Sequence, residues 1–195
     1  PIFDDEHPEG YGWVGKLMAC ERDAKDMQKL ADSQGFKSEI LLTKDATVAN
    51  VTKALKKAAK QLSAGDSFFL TYSGHGGMVP DISGDERDDD VDETWCLYDR
   101  QFIDYLLLIM YAQFFAGVDI YVLSDSCHSG TVTRSEERAG PDLTEEENAA
   151  IFGTENPSFR LMTKETSMLD YEAREEFYDN IQRNLNHVKP EDVKA

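Results

Sequence analysis

The chain has 195 residues, of which 38 are Asp or Glu and 20 are Lys or Arg, for a formal net charge of -18. That length suits one domain with a sizeable core, and the charge argues against nucleic acid or an anionic membrane as partner while favouring cationic ligands or metal ions. Cys20, Cys96 and Cys127 show no paired or zinc-type spacing, no signal peptide opens the chain, and its most apolar segment, 102–116, is broken by Asp104 and Gln113 and too short to cross a bilayer, so a soluble cytoplasmic protein is expected.

Residues 1–16 read as irregular. From Leu17 the pattern is helical, with Cys20, Ala24, Met27 and Ala31 at helical spacing and Gly35 where a C-cap belongs. A short strand is expected over 36–42. Thr47 or Asn50 caps a second helix whose apolar face is Val48, Val51, Leu55, Ala58 and Leu62. The turn Ala64-Gly65-Asp66 leads into a strand, Ser67-Phe68-Phe69-Leu70-Thr71-Tyr72, which runs into Ser73-Gly74-His75-Gly76-Gly77. Between Asp81 and Glu93 eight of thirteen residues are acidic. A short strand over 95–98 and a helix over 100–115, apolar on nearly every side, come next. The run Val118-Asp119-Ile120-Tyr121-Val122-Leu123 reads as a buried strand and ends in Ser124-Asp125-Ser126-Cys127-His128-Ser129-Gly130. Residues 131–157 are polar and acidic, like a linker, and 166–186 return to helical composition. Alternating strands and helices imply right-handed crossovers, hence an α/β fold with a mostly parallel sheet and helices on both faces.

Both polar clusters lie at C-terminal strand ends, where open α/β sheets bind ligands. One offers an imidazole among glycines and the other a thiol, 52 positions later. A thiol is a weak nucleophile until ionised, and an imidazole that takes its proton supplies the thiolate and later protonates a leaving amine. Cys127 and His75 are therefore the candidate catalytic pair for acyl transfer. Residues two apart on a strand share a face, so Asp125 lies on the side of Cys127 and Ser73 on the side of His75. An anion near the sulfur disfavours the thiolate, and a pocket for a cationic side chain explains its presence.

Tyr72-Ser73-Gly74-His75-Gly76-Gly77 together with Asp125-Ser126-Cys127-His128-Ser129-Gly130 resembles the catalytic pair of caspase-like cysteine peptidases, in the metacaspase and orthocaspase branch. The likeness spans about 10–132 and includes Cys20-Glu21-Arg22-Asp23-Ala24 and Gly84-Asp85-Glu86. It implies a caspase-like three-layer sandwich, an oxyanion hole from the backbone N–H groups of Gly76 and Cys127, and an S1 pocket formed by Asp23, Ser73 and Asp125 that takes Arg or Lys. Many metacaspases bind calcium through acids of the same loop and an Asp-Asp pair in the next helix. Here those positions are Asp88, Asp89, Asp90 and Asp104, with Tyr105 in place of the second Asp, so calcium is an optional cofactor rather than a required one. Arg134, Arg138, Arg160 and Lys164 are candidate self-cleavage sites.

Set against that family, residues 1–132 correspond to the large-subunit domain, 133–160 to a processing linker and 161–195 to a helical segment leading to a small-subunit portion. A first strand and the small-subunit strands have no counterpart here, so a small-subunit chain of the same precursor is an expected partner. The apolar helix over 100–115 reads as a core helix that must be covered on both sides, by that subunit or by a second copy. The expected function is a cysteine endopeptidase acting on peptides with a basic residue before the cut. Two alternatives stand beside it: a silent caspase-like scaffold binding partners through the acidic loop and the apolar helix, and a hydrolase of small amides that would have no need of Asp23, Ser73 and Asp125.

Overall fold

The computed structural model describes Gly15, Leu17 and residues 19–82, 91–126 and 162–184. Helix α1 spans Cys20–Ser33, and its half-buried face carries the expected Cys20, Ala24, Met27 and Ala31. It stops at Gly35, whose φ of 86° lies in the left-handed region that glycine adopts without a Cβ penalty. Residues 36–42 join no sheet; the Phe36 ring packs on Phe69 at 6.1 Å, but no neighbouring strand offers a ladder among the described residues, so the expected strand does not form.

Helix α2 spans Val48–Gln61. Thr47, not Asn50, is its cap, with Thr47 Oγ1 accepting from Asn50 N at 3.2 Å. A second cap comes from far along the chain, where Asp99 Oδ1 accepts from Val48 N at 2.9 Å. Strand β1, Ser67–Ser73, pairs in parallel with β5, Asp119–Asp125, in a register that sets Ser67 opposite Asp119 and Ser73 opposite Asp125. The turns feeding these strands bind each other. Gly65 N donates to Gly117 O at 2.7 Å and Asp119 N to Asp66 O at 3.0 Å, with both glycines at positive φ, which starts the two strands level.

Beside this parallel pair lies an antiparallel sheet that the strand–helix alternation does not foretell. Its order is β2 (Gly76–Pro80), β3 (Val91–Cys96), β4 (Gln101–Ile103). Residues 101–103, expected as the first turn of a helix, pair with 94–96 instead, and helix α3 is confined to Asp104–Tyr111. The C-terminal segment forms two helices, α4 (Lys164–Ala173) and α5 (Glu175–Asn184), broken at Arg174.

Two apolar clusters hold the layers together. The first joins Leu55 of α2, Trp95, Phe102, Leu107 and Met110 to Phe68, Leu70, Tyr72 and Val122 on one face of the parallel pair. The second joins Val79, Ile103 and Tyr105 to Tyr178, Phe177 and Ile181 of α5. Helix α3 is thus covered on both sides by this chain itself. Its second cover is α5, which brings a row of aromatic and aliphatic side chains to Tyr105 and Leu108. Strand β5 is less enclosed than its apolar composition suggests. Its even-numbered residues are half-buried, while Tyr121 and Leu123 on the other face are 55% and 48% exposed.

The C-terminal helices are fixed to the antiparallel sheet by polar contacts as well. Gln101 Nε2 donates to Asp170 Oδ2 at 3.0 Å, Thr94 Oγ1 donates to Gln101 Oε1 at 2.7 Å, and Gln101 N donates to the Tyr178 hydroxyl at 3.0 Å. Asp170 also receives Arg174 and the Tyr178 hydroxyl. Gln182 grips the end of β2, its Nε2 donating to Pro80 O at 2.8 Å and its Oε1 accepting from Ile82 N at 2.6 Å.

Candidate active site

The register of β1 and β5 brings the two candidate clusters to one edge. His75 and Cys127 each follow a paired residue, Ser73 and Asp125, by two positions. Gly74 N donates to Asp125 O at 3.3 Å, which ties the strand ends together just before the chains diverge. Cys127 itself lies outside the described residues, as do His128, Asp88, Asp89, Asp90, Arg134, Arg138 and Arg160.

His75 is 7% exposed, and its Nε2 is 3.0 Å from Gly15 O. A carbonyl can only accept, so Nε2 carries the proton in that contact and Nδ1 is the basic nitrogen of the neutral ring. Gly15 therefore sets the tautomer, a role assigned by nothing in the motifs because it crosses 60 residues.

The three residues expected to read a basic side chain stand together. Ser73 Oγ is 3.3 Å from Asp23 Oδ2, on α1, and 3.5 Å from Asp125 Oδ2, on β5. Parallel pairing puts Ser73 and Asp125 on the same sheet face, and α1 packs over that face to bring Asp23 alongside. Two carboxylates converging on one hydroxyl form a concentrated negative site at the exposed end of β5. Such a site favours a cation, and a guanidinium matches two carboxylates better than an ammonium does.

Behind this edge lies a second set of contacts that the motifs do not announce. The Tyr72 hydroxyl donates to His75 O at 2.8 Å and to Cys96 O at 3.1 Å, and Cys96 N donates to the same His75 oxygen at 2.9 Å. Tyr72 stacks on Trp95 with centroids 4.5 Å apart and planes 11° from parallel. Trp95 Nε1 in turn donates to Ser124 Oγ at 3.0 Å, and Ser124 Oγ lies 3.1 Å from Ser126 Oγ, the residue just before Cys127. Met162 N donates to Gly76 O at 2.7 Å. Tyr72 and Ser124 fall inside the two polar clusters of the sequence; Trp95 and Met162 reach the site only through tertiary folding.

Gly76, expected to help hold an oxyanion, is the first residue of β2 and is buried. Asp104 is buried at the start of α3, where its Oδ1 accepts from Tyr105 N at 2.7 Å. Among the described residues no group of three His, Cys, Asp or Glu side chains is placed to hold a metal ion, and the other members of the expected calcium set, Asp88, Asp89 and Asp90, lie outside the described residues. Lys164 is exposed as the first residue of α4, so cleavage after it would require the first helical turn to open. Cys20 and Cys96 are half-buried and in no disulfide. No helix among the described residues is long and apolar enough to cross a membrane.

An α/β sheet with a histidine at one strand end, a Ser-Cys-His sequence leaving its parallel neighbour and acids converging between them defines a caspase-like domain. Comparison with known proteins specifies the branch. Residues 10–135 match the family described as "Metacaspase, peptidase C14 domain", and the chain belongs to that family. It is 37% identical over 140 residues to Metacaspase-1 of Cryptococcus neoformans var. neoformans serotype D, a match covering 63% of this chain and 30% of that one. It is 35% identical over 135 residues to Metacaspase-1A of Aspergillus fumigatus, covering 62% of this chain and 33% of that one. The chain thus spans about a third of the length of these relatives. A crystal structure of protein GSU0716 from Geobacter sulfurreducens superposes with a TM-score of 0.75 at 47% identity, covering 96% of this chain and 65% of that one.

Proposed function

We propose that this chain is the catalytic part of a cysteine endopeptidase that cuts after Arg or Lys. The observation that supports this most is the convergence of Asp23, Ser73 and Asp125 beside His75, at the edge from which Cys127 emerges. A dyad alone would serve many amidases. A dyad flanked by two carboxylates on one hydroxyl suits a substrate with a cationic group next to the scissile bond.

In this reading the Cys127 thiol gives its proton to His75 Nδ1, and the sulfur forms a bond to the peptide carbonyl carbon. The carbonyl oxygen takes the negative charge and is met by the backbone N–H groups of Gly76 and Cys127. The imidazolium then returns the proton to the amine nitrogen as the C–N bond breaks, leaving a thioester. Water, deprotonated by His75, hydrolyses that thioester and restores the thiol.

The test is hydrolysis of paired fluorogenic peptides ending in Arg, Lys and Asp, by wild type and Cys127→Ala, with and without added calcium. Cleavage after Arg and Lys only, abolished in the variant, is the expected result. Equal cleavage after Asp would remove the basis for an acidic pocket. No cleavage by folded wild type under any condition would favour the scaffold reading.

A further inference from the structure

We propose that the Tyr72 hydroxyl is a positioning residue that aims the backbone N–H of Gly76 at the oxyanion. The idea rests on the peptidase reading and adds to it a side chain that touches no substrate. Its starting point is a problem built into the sequence. Gly76 stands in the run Gly74-His75-Gly76-Gly77, and glycine is the residue whose backbone is least restrained by its own chemistry. An oxyanion donor is effective only when its N–H is held within about 2.7–3.1 Å of the developing charge, so something other than Gly76 must fix its orientation.

The structure shows what does so. No peptide bond among the described residues is cis. In a trans peptide the N–H of one residue points opposite to the preceding carbonyl, so fixing the His75 oxygen fixes the Gly76 N–H. That oxygen accepts two hydrogen bonds, from the Tyr72 hydroxyl at 2.8 Å and from Cys96 N at 2.9 Å. The plane on the other side of Gly76 is fixed by Met162 N, which donates to Gly76 O at 2.7 Å. Of these three donors, two are backbone groups held by the fold and only Tyr72 is a side chain, hence open to substitution without moving the chain.

Two further features show that the phenol is itself held. Its ring is stacked on Trp95, which is 1% exposed in the first apolar cluster. The ring end also lies against the backbone of Gly74, where an added Cβ would come within 2.2 Å of the Tyr72 oxygen and 2.5 Å of the ring carbon bearing it. Gly74 is therefore glycine because Tyr72 passes beneath it. The hydroxyl divides its proton between His75 O and Cys96 O, at 2.8 and 3.1 Å, so one group ties the histidine loop to the end of β3.

The test compares wild type with Tyr72→Phe, which keeps the ring and its stacking and removes only the donor. Three quantities are read in the full chain: kcat and KM on an Arg peptide, the pH dependence of Cys127 alkylation by iodoacetamide, and the amide resonance of Gly76 in a 1H–15N spectrum. Alkylation needs the thiolate but no oxyanion donor, so it separates the dyad from the oxyanion site. The expected outcome is a fall in kcat of about tenfold, less than the loss from deleting a donor outright. KM and the alkylation profile stay unchanged, and the Gly76 resonance moves. Gly74→Ala, which displaces the phenol, gives the same pattern. Equal losses in kcat and alkylation rate would show a merely structural role and overturn the proposal, as would a kcat within twofold of wild type. A wild type that cleaves no peptide overturns the peptidase reading instead. The Gly76 resonance then still decides the orientation, unmoved in Tyr72→Phe if the phenol does not hold that plane and moved if it does.

Discussion

Ser73 and Asp125 face each other across the parallel pair of strands, and the serine hydroxyl lies 3.5 Å from the aspartate carboxylate. The contact is at the long end of hydrogen bonding and is shared with Asp23 at 3.3 Å, so the serine spaces two anions rather than neutralising either. Asp125 is exposed, and replacing it affects ligand charge more than the fold. Asp125→Asn is expected to lower kcat/KM on Arg peptides by about 10–100-fold, the size of one lost charge-assisted contact. Stability should change by less than about 0.5 kcal/mol. Retention of Arg cleavage in this variant would refute the pocket assignment.

Ser124→Ala tests the contact beneath the nucleophile strand. Trp95 is buried, and its indole N–H donates to Ser124 Oγ at 3.0 Å. Removing the acceptor leaves a buried donor unsatisfied, at a cost of about 1–3 kcal/mol. Urea unfolding should show a lower midpoint with an unchanged slope. An unchanged midpoint would mean that the indole finds another acceptor, and that the link from Trp95 to Ser126 contributes little.

How far the sequence anticipates this arrangement depends on the range of each interaction. Thr47 as a cap, Gly35 and Gly65 at positive φ, and the two strand ends with His75 and Asp125 all follow from signals within a few residues. The shared face of Ser73 and Asp125 also follows, because side-chain alternation is strict once both strands are parallel and level. Strand β4 was not legible: Gln101-Phe102-Ile103 joins directly to an apolar helix, and only pairing with β3 tells three such residues from a first helical turn. The same limit hid the role of α5, whose Tyr178 donates to an aspartate of its own helical pair yet accepts from Gln101 N, 77 positions earlier. Gly15, 60 residues before the imidazole it orients, leaves no local trace at all.

Asp170 gives a pH prediction with a definite sign. Burial raises its pKa above the ordinary 3.8, outweighing the opposing effects of Tyr178, Gln101 and Arg174. A carboxyl whose folded value is raised contributes stability that is complete below the unfolded value and lost as pH rises through the folded one. The exposed Asp26 runs the other way, its pKa lowered mainly by Lys29, so the raw melting curve mixes signs. The informative quantity is the Tm difference between wild type and Asp170→Asn, measured from about pH 4 to about pH 8. The wild type should lose ground to the variant as pH rises; a difference independent of pH would show that Asp170 titrates at its ordinary value.

Gln182 tests whether the C-terminal helices help to shape the site from a distance. Its amide is fully buried and bridges the end of β2, accepting from Ile82 N at 2.6 Å and donating to Pro80 O at 2.8 Å. β2 begins at Gly76, whose carbonyl is bound by Met162 N just before α4, so both ends of this strand depend on residues 162–184. Gln182→Leu keeps the volume but strands one backbone donor and one acceptor, for an expected loss of about 2–4 kcal/mol. Because the site end of β2 retains the Met162, Cys96 and Tyr72 contacts, the folded fraction of the variant should keep wild-type KM and a kcat within about threefold. A drop in kcat comparable with that of Tyr72→Phe would show instead that β2 moves as one rigid strand, and that its far end governs the orientation of Gly76.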